Sequence, residues 1–393
     1  MTSSFSRDNF TWFIYLTLGY YAYLLNAIGP AMPFLRAELD LSYTLSSAHL
    51  SAFAVGILLA GLGGDWLITR FGRRIVFRLG VFGMALSTVL LLVSHHPVLT
   101  IGSALLMGGL GSLLLVIIPA ALADHHGNDR VVAISEANVM ASLCSVFAPV
   151  LLGLFVRTGL GWRGVFVVPV LVILLLNLLF WRVPFTEPAV PRQSRSVSAR
   201  LPGLYWLYWT VLVLAVSVEF CIIFWGATFL ETQRDFIRAD AALAMSLFVG
   251  AMLLGRFVGS RLTQWLRSEW IVLGSIGLCL AGFLMHWTAE WPLLTMIGLF
   301  LAGLGVANLY PQVLSLAVGT ALNQTDIASA RASLASGLAI LALPLLLGGL
   351  ADQFGLRFAY GLVVILLLFA GLGMLLANQL DRTGQPVTGP RRL

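Results

Sequence analysis

Along the chain, apolar runs long enough to cross a bilayer alternate with short polar connectors. A spanning helix needs about 20 mostly apolar residues. Runs of that length fall near 10–36, 46–68, 75–94, 98–123, 130–156 and 162–183. A second set follows near 204–230, 240–266, 270–288, 292–318, 326–351 and 356–378. Between the sets lies the longest connector, 184–203, which is polar and carries Pro184, Pro188, Pro191 and Pro202 with Arg192, Arg195 and Arg200. That composition reads as a link between units. The pattern predicts an all-α membrane protein of about twelve transmembrane helices in two six-helix halves: residues 1–183, a cytoplasmic linker at 184–203, and residues 204–393.

Composition removes the soluble alternative. The chain is 59% hydrophobic and 10% charged, whereas soluble domains carry roughly 25% charged residues. The net charge of +6 comes entirely from arginine, with no lysine, a usage that fits a G+C-rich genome. These arginines sit in short connectors, as topology signals do, and do not point to nucleic acid. With a cytoplasmic N-terminus, 17 of the 23 lie on or near the inner side. Only Arg36, Arg157, Arg163, Arg234, Arg238 and Arg357 fall outside. The bias predicts both termini in the cytoplasm and the plasma (inner) membrane of a prokaryote. Cys144, Cys221 and Cys279 are scattered through apolar runs and have neither metal nor disulfide spacing. The first apolar run follows Arg7 and Asp8 at full spanning length, unlike a cleavable signal.

The halves repeat at an offset of 195 residues. Leu35 falls on Leu230, Ser51 and Phe53 on Ser246 and Phe248, and Pro149 and Gly153 on Pro344 and Gly348. One residue of slippage then pairs Gly161-Trp162-Arg163 with Gly355-Leu356-Arg357. Six spans per repeat is even, so the halves share an orientation and are related by an axis along the membrane normal.

The connector after the second span, Asp65-Trp-Leu-Ile-Thr69-Arg70-Phe-Gly72-Arg73-Arg74, resembles the loop signature of the major facilitator superfamily, Gly-x-x-x-Asp-Arg-x-Gly-Arg-Arg/Lys. Length and span number agree over essentially the whole chain. Gly161-Trp162-Arg163 with Phe166 also resembles the junction of the fifth and sixth spans there. Two positions depart: Asp65 replaces the first glycine, and Thr69 replaces an aspartate that in the family caps a neighbouring helix and holds an arginine to latch the cytoplasmic side. Asp65 lies one helical turn earlier on the same face. It is a candidate substitute, with Arg130 as partner; otherwise Arg70, Arg73 and Arg74 serve topology alone. The resemblance implies a secondary transporter whose first, fourth, seventh and tenth spans line a central cavity.

Intramembrane ionisable residues are functional candidates by default. Glu219 is the deepest, mid-way along the seventh span, where loss of water disfavours its charged form and suits reversible protonation. A neutral structural acid is the alternative reading. In the spans that the resemblance assigns to the cavity, the first offers Tyr20, Tyr21, Tyr23 and Asn26; Phe224 and Trp225 follow Glu219; the tenth offers Asn308, Tyr310 and Gln312. Tyr23 with Asn26, and Asn308 with Gln312, have spacings that share a helix face. Rings with amide groups suit a sugar-like or aromatic solute; interhelical hydrogen bonding is the plainer role. Ser135, Asn138, Ser142 and Ser145 on the fifth span, and Ser329, Ser333 and Ser336 on the eleventh, form small polar stripes suited to packing between halves. Glu136 and Arg331 coincide at the 195 offset and are candidates for a gate; Arg256 either snorkels to headgroups or faces the cavity.

No phosphate-binding loop, no metal-spaced cluster and no hydrolytic signature is present, so neither cofactor nor catalysis is expected. The function expected is secondary active transport by alternating access, driven by an ion gradient, with a small-molecule solute and protons as ligands and the lipid bilayer as surroundings. A monomer suffices. Proton symport of a polar, sugar-like solute is favoured because the glycine preceding Pro149 in the fifth-span motif of drug antiporters is replaced by Ala148. Proton-coupled efflux of an amphipathic or cationic drug is the alternative. A membrane receptor or intramembrane enzyme is the rival class, and lacks a sensor module or catalytic set.

Overall fold

The local chemistry of the chain ends and corners sets where each rod begins. Asp8 accepts from the Thr11 backbone N–H at 2.9 Å and starts α1 (Asn9–Leu39). Ser42 accepts from the Leu45 N–H at 3.2 Å and starts α2 (Tyr43–Phe71). Such caps satisfy amides that a helix start leaves open. Gly72 then turns the chain with φ of 82° into α3 (Arg73–Val93), a backbone conformation that only glycine adopts without strain. The other helices of the first half are α4 (Pro97–His126), α5 (Arg130–Arg157) and α6 (Gly164–Leu179).

In this computed structural model residues 6–180, 201–321 and 324–384 are described. The second half comprises α7 (Gly203–Gln233), α8 (Arg238–Leu262), α9 (Ser268–Thr288), α10 (Pro292–Val306), α11 (Leu309–Gly319), α12 (Thr325–Phe354), α13 (Leu356–Tyr360) and α14 (Leu362–Gly384). The tenth predicted span is α10 with α11, broken at Ala307-Asn308, and the twelfth is α13 with α14. Ten spans are long and apolar enough to cross a bilayer. With the shorter apolar α6 and the 31-residue α1, the described residues form twelve rods. The chain is therefore an integral membrane protein. Of the predicted linker, 184–200 lies outside the described residues, as do Arg182, Arg192, Arg195, Arg200, Arg391 and Arg392.

The repeat is visible in the backbone. Gly161 and Gly355, paired by the sequence, both adopt positive φ, 78° and 84°, and each leads into the next helix. Within halves, α1 packs on α5, α2 on α4, and α9 on α10; between halves, α1 meets α7, α2 meets α12, and α5 meets α8. At Gly29 the approach of α1 to α7 is so close that a Cβ would sit 2.4 Å from the Ile223 carbonyl oxygen. Small residues of this kind let membrane helices touch backbone to backbone.

Most of the bonds between halves lie on the side away from the termini. The Asp352 carboxylate, near the end of α12, accepts from the Tyr43 and Thr44 backbone N–H groups at 2.8 Å each and from the Thr44 hydroxyl at 2.5 Å. Arg157, ending α5, donates to Asp240 in the first turn of α8, its Nε at 3.0 Å. Ser51 donates to the Leu341 carbonyl at 2.8 Å. Toward the termini, Ser135 and Asn138 of α5 and Ser329 and Ser333 of α12 are exposed. The bundle is thus sealed on one side and open on the other.

Candidate functional site

Where the seal ends, a cavity of about 290 Å³ lies between the halves. Asn26 of α1 and Ser142 and Ser145 of α5 line one wall; Glu219 of α7 and Val249, Met252, Leu253 and Arg256 of α8 line the other. Glu219 has a side chain only 14% exposed, and Arg256 comes within 3.9 Å of it. That separation is too long for a direct hydrogen bond. The guanidinium instead reaches across to the other half and donates to the Ser142 hydroxyl at 3.0 Å. Asn26 donates to Ser145 at 3.1 Å and to the Ala22 carbonyl at 2.9 Å. Arg256 is 42% exposed and faces this cavity, the second of the two orientations open to it in sequence. Tyr310 of α11 is within electrostatic reach of Glu219. The site therefore holds one carboxylate, one guanidinium and a set of amide and hydroxyl groups, and can bind a proton and a polar ligand together.

Other predicted residues are occupied elsewhere. Tyr23 donates to the Val165 carbonyl of α6 at 2.9 Å, so it turns away from Asn26 despite the spacing. Tyr20 is buried with an unpartnered hydroxyl, and Tyr21 lies 3.2 Å from Ser112 of α4. Trp225 donates to the Pro344 carbonyl at 3.2 Å and packs on Tyr43, with Phe224 against it, all within the seal. Asn308 donates to the Gly255 carbonyl at 3.1 Å and clamps the helix break onto α8. Asn308 N-caps α11, and its carbonyl accepts from the backbone N–H of the half-buried Gln312 at 3.2 Å, so the one-turn spacing of the two is kept while the Asn308 side chain is engaged with α8.

The expected gating pairs also sort differently. Asp65 and Arg130 are both exposed, and no ion pair joins them among the described residues. Thr69 bonds the Trp66 carbonyl one turn back and caps nothing. Arg70 and Arg74 are exposed, whereas Arg73 is buried and pairs with Asp124 of α4 at 2.7 Å. Asp124 was not marked by sequence, because an acid near a helix end looks like an ordinary interfacial residue. Glu136 binds Arg7 at 2.6 Å within its own half, and Arg331 lies over the Trp206 ring at 5.4 Å, so the two do not meet. Asp352, Asp240 and Ser142's role as acceptor for Arg256 also went unmarked; each depends on a neighbour at least 83 residues distant.

Comparison with known proteins now decides the family. The Major Facilitator Superfamily pattern matches residues 12–270 and 236–392. The chain belongs to that superfamily. An uncharacterized transporter of this type from Yersinia pestis is 25% identical over 351 residues, covering 87% of this chain and 89% of that one. The quinolone resistance protein NorB of Staphylococcus aureus is 25% identical over 220 residues, covering 53% of this chain and 44% of that protein. Among solved structures, the nucleoside transporter NupG superposes with a TM-score of 0.76 at 13% identity, covering 93% of this chain and 99% of that one. A D-xylose-proton symporter gives 0.74 at 16%, covering 93% and 96%. These superpositions establish the superfamily fold, and the chain is a transporter of that superfamily.

Proposed function

We propose that this transporter is proton-coupled and carries a small polar organic solute by alternating access, with Glu219 as the proton-binding group. The observation behind this reading is the placement of a buried carboxylate, faced by Arg256, on a cavity that both halves line. Charges inside a membrane are costly, and those that persist mark ion or substrate paths. A site between two repeats, sealed on one side, is the geometry in which rocking of the halves exchanges access. The arginine distribution supports cytoplasmic termini in a prokaryotic inner membrane. In that orientation the cavity opens inward.

The likeness to NorB favours a second reading, efflux of an amphipathic or cationic drug. Glu219 alone would suit a cation, but Arg256 on the same wall opposes one, and the polar lining favours a small polar solute. The Tyr, Trp and Asn side chains that argued for a sugar are mostly engaged outside the cavity, so the reading rests on the charged pair.

The test is uptake by proteoliposomes under an inward proton gradient, with sugars, organic acids and drugs as solutes and wild type beside Glu219→Gln. The variant is expected to lose gradient-driven accumulation and keep solute exchange. Full concentrative uptake by Glu219→Gln at neutral pH overturns the assignment.

A further inference from the structure

The two charges in the cavity are not arranged as a closed salt bridge. Arg256 approaches Glu219 only to 3.9 Å, spends one N–H on Ser142 across the cavity, and stays 42% exposed. A planar guanidinium offers five donors in a fork that fits a carboxylate with two parallel bonds. Glu219 does not use that fork. The remaining polar lining groups, Asn26, Ser142 and Ser145, are uncharged and small. Arg256 is the only cation among the residues lining the cavity, and it presents free donors to the space between the halves.

We infer that the solute is a small organic monocarboxylate, bound through Arg256 and carried with one proton on Glu219; the inference rests on the proton-coupled reading above. Charge balance gives the reason. In the empty cavity the Glu219 carboxylate and the Arg256 guanidinium sum to zero. A neutral solute arriving with a proton would leave Arg256 uncompensated, a net charge of +1 inside the bilayer. A carboxylate arriving with a proton keeps the sum at zero: the proton adds to a Glu219 oxygen, and the solute anion takes over as counter-ion to Arg256. Empty and loaded forms are then both neutral, so both reorient without moving a bare charge through low dielectric. Release reverses the step, with the proton leaving Glu219 for water and Arg256 returning to its former neighbour. Ser142, on the opposite half, accepts from the same guanidinium, so an anion held by Arg256 lies where the two halves meet.

The experiment uses proteoliposomes of the full chain with a trapped pH dye, challenged with gluconate and lactate beside the neutral glucose and glycerol, with protein-free vesicles as control. Potassium with valinomycin sets the membrane potential. Wild type is expected to acidify the lumen with a carboxylate only, at a rate unchanged by the potential. Arg256→Gln should lower that rate at least tenfold, and Arg256→Lys should recover part of it, which separates loss of recognition from loss of fold. Glu219→Gln should still exchange labelled against unlabelled carboxylate without moving protons. Proton-linked entry of glucose or glycerol and not of the acids overturns the monocarboxylate inference and leaves proton coupling standing. Carboxylate entry that is proton-free in wild type overturns both. Carboxylate uptake that follows the imposed potential overturns the electroneutral exchange of counter-ions. If neither acid enters, the inference falls, and the proton-coupled reading stands or falls on its own test.

Discussion

Arg157 and Asp352 occupy the same place in the two halves, related by the 195-residue offset, and each reaches across to the first turn of a helix in the other half. Asp352 holds the start of α2 through the Tyr43 and Thr44 amides at 2.8 Å. Arg157 holds the start of α8 through Asp240. The helices they grip are themselves repeat equivalents. One device has been built twice with opposite charge: an acid placed on the positive end of a helix, and a base placed on an acid that sits at such an end. Both close the side away from the termini.

Loosening these two contacts should open that side. The Asp352 contact is a helix cap, worth about 0.5–2 kcal/mol. The Arg157 pair is exposed and worth about 0–1 kcal/mol. Asp352→Ala is therefore expected to shift the open-to-sealed ratio about fivefold, and Arg157→Gln by less. Alkylation of a cysteine introduced at Ser47, which is buried in the seal against Gly348, reads this directly. Equal labelling in both backgrounds would show that the contacts are incidental.

Gly29 tests the seal from within. A Cβ there would lie 2.4 Å from the Ile223 oxygen and 2.9 Å from the Phe224 Cα, both backbone atoms that cannot rotate away. Gly29→Ala is expected to push α1 off α7, raise alkylation at the same reporter, and reduce transport strongly while the protein still inserts. A substitution at Gly61, where a Cβ meets nothing within 4 Å, should be silent in the same assay. Unchanged labelling in Gly29→Ala would mean that the halves do not approach so closely in the membrane.

The fold could be read from the sequence because bilayer thickness and the repeat act locally: α4 was expected at 98–123 and runs Pro97–His126, and α7 was expected at 204–230 and runs Gly203–Gln233. Glu219 was legible for the same reason, as a charge in an apolar run. Its surroundings were not. Helical spacing places Tyr23 beside Asn26, yet Tyr23 finds the Val165 carbonyl and Asn26 finds Ser145. Tightly packed helices surround α1, so residues three apart meet different neighbours. The helix break at Ala307-Asn308 has a local signal in Pro311, which has no N–H to return to the Ala307 carbonyl one turn back, but the bond that holds the break, from Asn308 to the Gly255 carbonyl, lies on α8 and leaves no mark in the sequence. Ion pairs such as Arg73 with Asp124 depend on tertiary placement that no local pattern records.

That pair yields a sharper test of the loop signature. Arg73 is buried and its partner Asp124 is partly exposed. Leaving a buried charge unpaired costs far more than trimming an exposed one. Asp124→Asn should therefore lower the melting temperature of the purified protein, and Arg73→Gln in the same background should recover part of the loss. A double-mutant cycle is expected to give a coupling of about 1 kcal/mol or more for this pair and near zero for Asp65 with Arg130. The reverse ranking would restore Asp65 as the latch acid.

The last prediction concerns the charges in the cavity. Glu219 can discard its charge by taking a proton, and Arg256 cannot. The two single neutralisations are then unequal. Arg256→Gln leaves an acid that simply stays protonated, so it should cost little stability and abolish proton release. Glu219→Gln leaves a cation with only Ser142 as a polar contact, and its cost is limited because the guanidinium is partly exposed. Combining them removes that stranded charge, so the double variant should melt at or above Glu219→Gln, although neither drives uptake. Detergent-solubilised melting curves of the four proteins at pH 7 decide it. If the two losses simply add, the carboxylate and guanidinium do not interact, and the neutral-pair argument for the empty cavity fails with them.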